Sequence, residues 1–466
     1  MTILQLLYCQ LNTPPKKLSM AHPFQIISLP DSNSTENLQA LAEVSSFGRT
    51  DMGTPGEGPW TYRILEEPTL TAELQSVCDF RSIGGWADVA SFQPCLSHRS
   101  QDRFVVEEWF LPSTPPTTGS NRWRLCAVFD GHVTHATVDY VSSNLPDAIQ
   151  SALKLALTRT AASPPGTHIT PEEVATILRD CVEKLDNSIS SGLLGLLPRN
   201  TSVCQLRPDD IKAIFPDNSD EEDEVSHGGA KTSTSVLSRA LGGSTVLLSL
   251  TDLSRRIMWI ANLGDGYAVL GQKLNDGWSG SLICRPHNVK NTDEVNRMKA
   301  AHPQPEAPIQ NGRVLGYLEP TRAIGDTWLK LPAAYSEHVF PHFKQHWVAP
   351  SLFIDHSQLI LTPPYVLGTP EVFHVQIPDS PCFILLCSDG LNLDPIDEVD
   401  IHDLLNRWTT TTGKALDRAA PPNMALALVR DAIGGDDNQE VSRNLTVEMD
   451  EPWLDDITVI VQKYNT

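Results

Sequence analysis

Three apolar runs of this chain end in the same way, and that repeat constrains its fold more than any other feature. Leu125-Cys-Ala-Val-Phe129 runs into Asp130-Gly131-His132, Phe383-Ile-Leu-Leu-Cys387 into Ser388-Asp389-Gly390, and Met258-Trp-Ile-Ala261 into Asn262-Leu-Gly-Asp265-Gly266. Short apolar runs bounded by glycine read as buried strands, each handing its chain to a carboxylate. Asp-Gly by itself is the commonest hairpin-turn signal, so a single instance carries turn chemistry only. Three instances after buried strands, with Asp455-Asp456 ahead of Ile457–Val461, form a pattern that turns do not explain. Carboxylates brought close repel one another unless cations sit between them, and Mg²⁺ or Mn²⁺ prefers such oxygen ligands. Neighbours on a strand face opposite sides, so only one of Asp455 and Asp456 can look into a shared site.

Further strand-like runs are Arg103–Glu108, Thr245–Leu250, Tyr267–Leu270, Val372–Ile377 and Ile457–Gln462. Helices are signalled in fewer places. Thr170-Pro-Glu-Glu173 is a capping box with proline at the first helical position, opening a helix expected to run to about Ile189. A second helix begins near Thr134, and Asn423 caps a third over Met424–Ile433 that Gly434 ends. Strands joined by short turns, with helices inserted in blocks, predict an α+β fold of packed antiparallel sheets covered by helices. Residues 1–75, rich in Pro, Ser, Thr and Gly, are expected to form an extended, linker-like arm, and residues 76–466 one domain. Within that domain the acidic block Asp217–Glu224 marks a disordered insertion over 216–234.

Charge and cysteine usage exclude several partners. The net charge of −22, from 57 acidic against 35 basic residues, leaves no basic face for nucleic acid or an anionic membrane. No apolar run is long enough to cross a bilayer. Nine cysteines without a C-x-x-C pair read as reduced thiols in an intracellular compartment. Residues 1–30 lack acidic residues but also lack arginine, which leaves mitochondrial and cytoplasmic locations both open.

In order along residues 80–464 stand Asp130-Gly-His132, Gly242-Gly-Ser-Thr245, Ala261-Asn-Leu-Gly-Asp265, Gly312-Arg-Val-Leu-Gly316, Thr321-Arg-Ala-Ile-Gly-Asp326, Cys387-Ser-Asp-Gly-Leu391 and Asp455-Asp-Ile-Thr-Val459. The chain thereby resembles the protein phosphatase 2C (PPM) family, and Asp293–Pro303, Pro363-Pro-Tyr365 and Ala432-Ile-Gly-Gly435 resemble its pyruvate dehydrogenase phosphatase branch. The resemblance implies an α-β-β-α sandwich and a metal-dependent protein serine/threonine phosphatase holding two Mn²⁺ or Mg²⁺ ions, with a weaker third site. It implies that Asp130 bridges the metals and that Gly131 offers its carbonyl. It makes Asp389, Asp455 and Asp102 ligands and Asp265 a candidate for the third site. By the same carry-over, His132 donates a proton to the leaving oxygen. The implied partner is a phosphoprotein, with a mitochondrial dehydrogenase component suggested by the branch.

Departures from the family pattern define a rival, a pseudophosphatase that keeps the fold as a binding partner. Val133-Thr134 stands where glycines are usual, and Gln101 replaces an acid. Ser97 stands at the phosphate-binding arginine, for which Arg99 is the candidate substitute, and Leu393 replaces an acid with Asp394 one position on. Arg322 and Asp326 are expected to pair within one turn, and His287 to hydrogen-bond a loop.

Overall fold

The apolar runs pair edge to edge as their alternation demands, and two antiparallel sheets result. The computed structural model describes residues 46–54, 58–95, 97–112, 121–161, 168–215, 233–275, 277–304, 307–342, 350–392 and 401–465. The first 45 residues, the acidic block Asp217–Glu224 and the pair Leu393-Asp394 lie outside the described residues. The chain divides into two compact units.

Among the described residues, the first unit gathers those up to Cys78 with those of Gln93–Arg99 and Arg430–Asp455. Strands β1 (Phe47–Thr50) and β2 (Trp60–Arg63) form an antiparallel hairpin, followed by the helix Thr69–Val77. Ser442, on the helix Asn438–Thr446, accepts a hydrogen bond from the Leu65 N–H at 3.0 Å, and Thr446 accepts one from the Arg63 N–H at 2.9 Å. The extended arm expected up to residue 75 therefore does not persist through residues 47–75. Tyr62, Leu70 and Leu74 are buried, and that apolar content outweighs the Pro- and Gly-rich composition that suggested a linker.

The second unit holds both large sheets, apart from Cys78 at the start of their first strand. Its early strands are β3 (Cys78–Ile83), β4 (Ala87–Phe92), β5 (Arg103–Phe110), β6 (Arg122–Phe129) and the two-residue β7 (Gly131–His132). Next come β8 (Gly243–Ser244), β9 (Val246–Asp252), β10 (Ile257–Leu263), β11 (Tyr267–Leu274) and β12 (Gly277–Cys284). The last are β13 (Ile309–Gln310), β14 (Arg313–Val314), β15 (Ile324–Gly325), β16 (Glu371–Gln376), β17 (Cys382–Cys387) and β18 (Ile457–Tyr464). One sheet runs β16-β10-β9-β6-β5 and the other β12-β11-β17-β18-β4-β3.

Alternation along the strands assigns their faces. Met258 and Ile260 of β10, with Cys126 and Val128 of β6, join Ile384, Leu386 and Ile460 of the second sheet in one buried cluster between the sheets. Trp259 points the other way, stacks on Trp123 at 5.7 Å and donates its indole N–H to the Pro171 carbonyl at 2.9 Å. That bond docks the helix Pro171–Leu196, which the predicted Thr170–Glu173 capping box opens, on the outer face of the first sheet. On the second sheet Trp408, from the helix Ile401–Leu416, packs edge-on against Tyr267 at 5.3 Å. The order helix, sheet, sheet, helix is the α+β sandwich expected.

Candidate metal centre

The register of the strands brings the motif aspartates to one end of the sheets. β11 and β17 run antiparallel with Tyr267 opposite Cys387, so the residues just outside that pair, Asp265 and Asp389, leave the same edge. In the other sheet Phe129 pairs with Arg103, which sets Asp130 beside Asp102. The Asp130 N–H donates to the Thr245 hydroxyl at 3.1 Å, and the Thr245 N–H donates to the Asp130 carbonyl at 2.8 Å. Thr245 also meets the Asp265 turn. Gly264 has φ +128°, and a Cβ there would lie 2.5 Å from the Thr245 side chain. Asp130, Asp265 and Asp389 consequently offer carboxylate oxygens that all lie within 4.8 Å of one another.

The field around this cluster is negative. Burial, reinforced by the charge of Asp389, pushes the Glu319 carboxyl up. Burial and the Asp389 charge act in the same direction on the Tyr267 phenol. Three hard oxygen donors of one sign, with Asp265 buried and Asp130 and Asp389 half-buried, fit a divalent cation such as Mg²⁺ or Mn²⁺. Burial pushes the Cys387 thiol far up, and the charges of Asp389 and Asp102 add to that.

Asp102 stands one hydrogen bond behind the cluster. It is buried and accepts the Ser388 hydroxyl at 2.8 Å, while the Ser388 oxygen accepts the Thr458 N–H at 2.9 Å. Gly131 is buried, and a Cβ there would lie 2.7 Å from the Gln101 carbonyl, so the close approach requires glycine. Asp455 and Asp456 stand just ahead of β18 and differ in exposure. Asp456 is buried and accepts the Gln101 N–H at 2.6 Å, whereas Asp455 is exposed. Asp455 and Arg99 belong to the first unit and are not among the three converging carboxylates.

His132 and Asp326 form a contact that the sequence reading did not foresee. The His132 Nε2 lies 2.8 Å and 3.0 Å from the two Asp326 carboxylate oxygens, and both residues are buried. The expected Arg322–Asp326 pair is thus corrected. Gly325, with φ +84°, reverses the chain between them and sends Asp326 back to His132. Arg322 instead bonds Glu294 through Nε at 3.1 Å and Glu371 through Nη2 at 3.1 Å. The sequence cues for Asp326 were the glycine before it and its place at the end of the Thr321–Asp326 motif.

A second acidic group, His287 with Glu294 and Glu371, also brings its ligand atoms within 4.8 Å. Its charge is already balanced, because Glu294 accepts from Arg322, from Arg297 at 2.7 Å and from Thr321. Two guanidiniums occupy the electrostatic place of a cation, so this is an ion-pair network. His287 Nδ1 accepts the Gly264 N–H at 3.2 Å, the loop role expected of it, and links the network to the Asp265 turn.

Comparison with known proteins gives the chain its family. The family model for protein phosphatase 2C matches residues 95–434. The chain belongs to the protein phosphatase 2C family. A protein phosphatase 2C homolog of Schizosaccharomyces pombe is 27% identical over 435 residues, covering 88% of this chain and 85% of that one. The mitochondrial pyruvate dehydrogenase (acetyl-transferring)-phosphatase 1 of Bos taurus is 27% identical over 275 residues, covering 50% of this chain and 49% of its own. This phosphatase 2C chain thus spans about half the length of that relative. Among solved structures, the serine-threonine phosphatase 2C of Toxoplasma gondii is 16% identical with a TM-score of 0.45, covering 83% of this chain and 97% of its own. Among the described residues no helix of this phosphatase 2C chain is long and apolar enough to cross a membrane.

Proposed function

We propose that this chain is a Mn²⁺- or Mg²⁺-dependent phosphatase acting on phosphoserine and phosphothreonine in proteins. The convergence of the Asp130, Asp265 and Asp389 carboxylates to within 4.8 Å carries the reading. Asp130, the Gly131 carbonyl, Asp389 and Asp102 are the donors proposed for two cations, and Asp265 serves a weaker third. Asp455, as a further ligand, and Arg99, as the phosphoryl-binding cation, are assigned through family resemblance alone. When bound, such a metal pair supplies hydroxide at neutral pH and offsets charge on the phosphoryl oxygens. His132 gives a proton to the seryl or threonyl oxygen as it leaves. Ser388 and Thr245 hold their aspartates in place through the hydrogen bonds described.

The relative named as a pyruvate dehydrogenase phosphatase makes a phosphorylated mitochondrial dehydrogenase component the first substrate to try. The decisive experiment is phosphate release from a phosphothreonine peptide with Mn²⁺, with Mg²⁺ and with EDTA. Metal-dependent turnover supports the enzyme. A folded chain with no turnover and no bound metal by elemental analysis would replace this reading with the pseudophosphatase.

A further inference from the structure

Three motifs far apart in the chain meet in a sheet of two-residue strands, ordered β15-β8-β7. Gly131 pairs with Ser244 and His132 with Gly243, while Ile324 pairs with Ser244 and Gly325 with Gly243. The arrangement encloses the contact between His132 and Asp326. A Cβ on Gly243 would sit 2.0 Å from His132 Nε2 and 2.2 Å from an Asp326 oxygen, so only glycine leaves room for the pair. Asp326 is fully buried and takes a left-handed conformation at φ 45°. Its N–H donates to the Gly242 carbonyl at 2.9 Å. Among the described residues every hydrogen bond of the His132 ring runs through Nε2.

We propose that Asp326 is a positioning residue for His132. It holds the ring with Nε2–H turned into the protein and leaves Nδ1 as the nitrogen that serves the leaving oxygen. A carboxylate fully removed from water accepts a hydrogen bond strongly and cannot donate one when ionised, so it selects the tautomer protonated on Nε2. This inference rests on the phosphatase reading. The P–O bond to the seryl or threonyl oxygen breaks and its electron pair stays on that oxygen, which takes the Nδ1 proton of the imidazolium and leaves the neutral ring protonated on Nε2. A water adds to phosphorus and releases a proton, and the ring regains its Nδ1 proton from solvent. Phosphate ester and water thus become alcohol and phosphate.

The test begins with ¹⁵N imidazole NMR on the metal-free full chain at a pH where the ring is neutral, with His132 assigned by His132→Gln. Wild type is expected to show Nε2–H and not Nδ1–H, and the opposite tautomer would overturn the proposal whatever any variant does. Asp326→Asn is then compared on two substrates with Mn²⁺. Turnover of a phosphothreonine peptide is expected to fall by ~10²-fold or more in kcat with KM little changed. Turnover of p-nitrophenyl phosphate, whose phenolate leaves without a proton, should fall far less. Equal losses on both substrates with the wild-type tautomer retained would make Asp326 a structural residue only. A wild type inactive on both would overturn the phosphatase reading as well, which separates the two failures.

Discussion

The Ser388 hydroxyl donates a hydrogen bond to Asp102 across 2.8 Å, and its oxygen accepts one from the Thr458 N–H. One side chain therefore ties the strand ends of both sheets at the point where the carboxylates gather. Groups that orient a metal ligand typically contribute 10–100-fold to affinity or activity. Ser388→Ala should weaken Mn²⁺ binding by about tenfold or more, read by calorimetry. Unchanged affinity would remove Asp102 from the proposed ligand set.

Close carboxylates of one sign destabilise the metal-free fold, and a cation bound among them should do the reverse. Mn²⁺ at about 100 times its dissociation constant should add ~2.7 kcal/mol of stability. EDTA should abolish the gain, and Asp389→Asn should show none. Thermal melts with and without metal check this without any substrate.

Val133 carries a β-branched side chain at φ 68°, immediately after His132. The left-handed region costs an L-residue roughly 1–2 kcal/mol. Val133→Ala and Val133→Gly both remove the buried isopropyl group, but only glycine relieves the backbone. Val133→Gly should therefore be the more stable of the two by about 1 kcal/mol in urea unfolding, reversing the usual preference for alanine.

Glu294 and His287 make the fold acid-sensitive in two stages. Burial alone would raise the Glu294 carboxyl, but hydrogen bonds from Arg322, Arg297 and Thr321 prevail and hold it far below its ordinary value of 4.5. Burial holds the His287 ring below its ordinary 6.5, against the pull of Glu371. Both folded pKa values are depressed, so each contribution is complete above the unfolded value and is lost as pH falls towards the folded one. Stability should decline first below about pH 6.5 and again below about pH 4.5. His287→Asn should flatten the first stage. Glu294→Gln should flatten the second and cost ~3–5 kcal/mol at neutral pH by leaving Arg322 short of a partner.

Much of this was legible in the sequence, for reasons that particular residues make plain. β6, β10 and β17 read correctly because continuous apolar runs have no other place to go. The three converging aspartates were found because each ends such a run. The helix Ile401–Leu416 escaped notice because Thr409–Thr412 has poor helix propensity, and only packing of Leu404, Leu405 and Trp408 reveals it. β3 alternates weakly and gave little signal. The helix Pro171–Leu196 runs seven residues past the expected end at Ile189, through Gly192 and Gly195, because the buried Leu193 continues its apolar face. Asp326 found its true partner 194 positions away, a distance at which local pattern says nothing.

That separation has a consequence for how the protein fails. The small sheet β15-β8-β7 is held by strands of two residues each, and forming it closes long stretches of chain on themselves. Elements so briefly paired open at lower free energy than the broad sheets beside them. Under rising denaturant the His132–Asp326 contact should part while the large sheets remain protected from hydrogen exchange. The protein would then lose competence before it loses its fold, and a sample judged intact by its circular dichroism could already be silent.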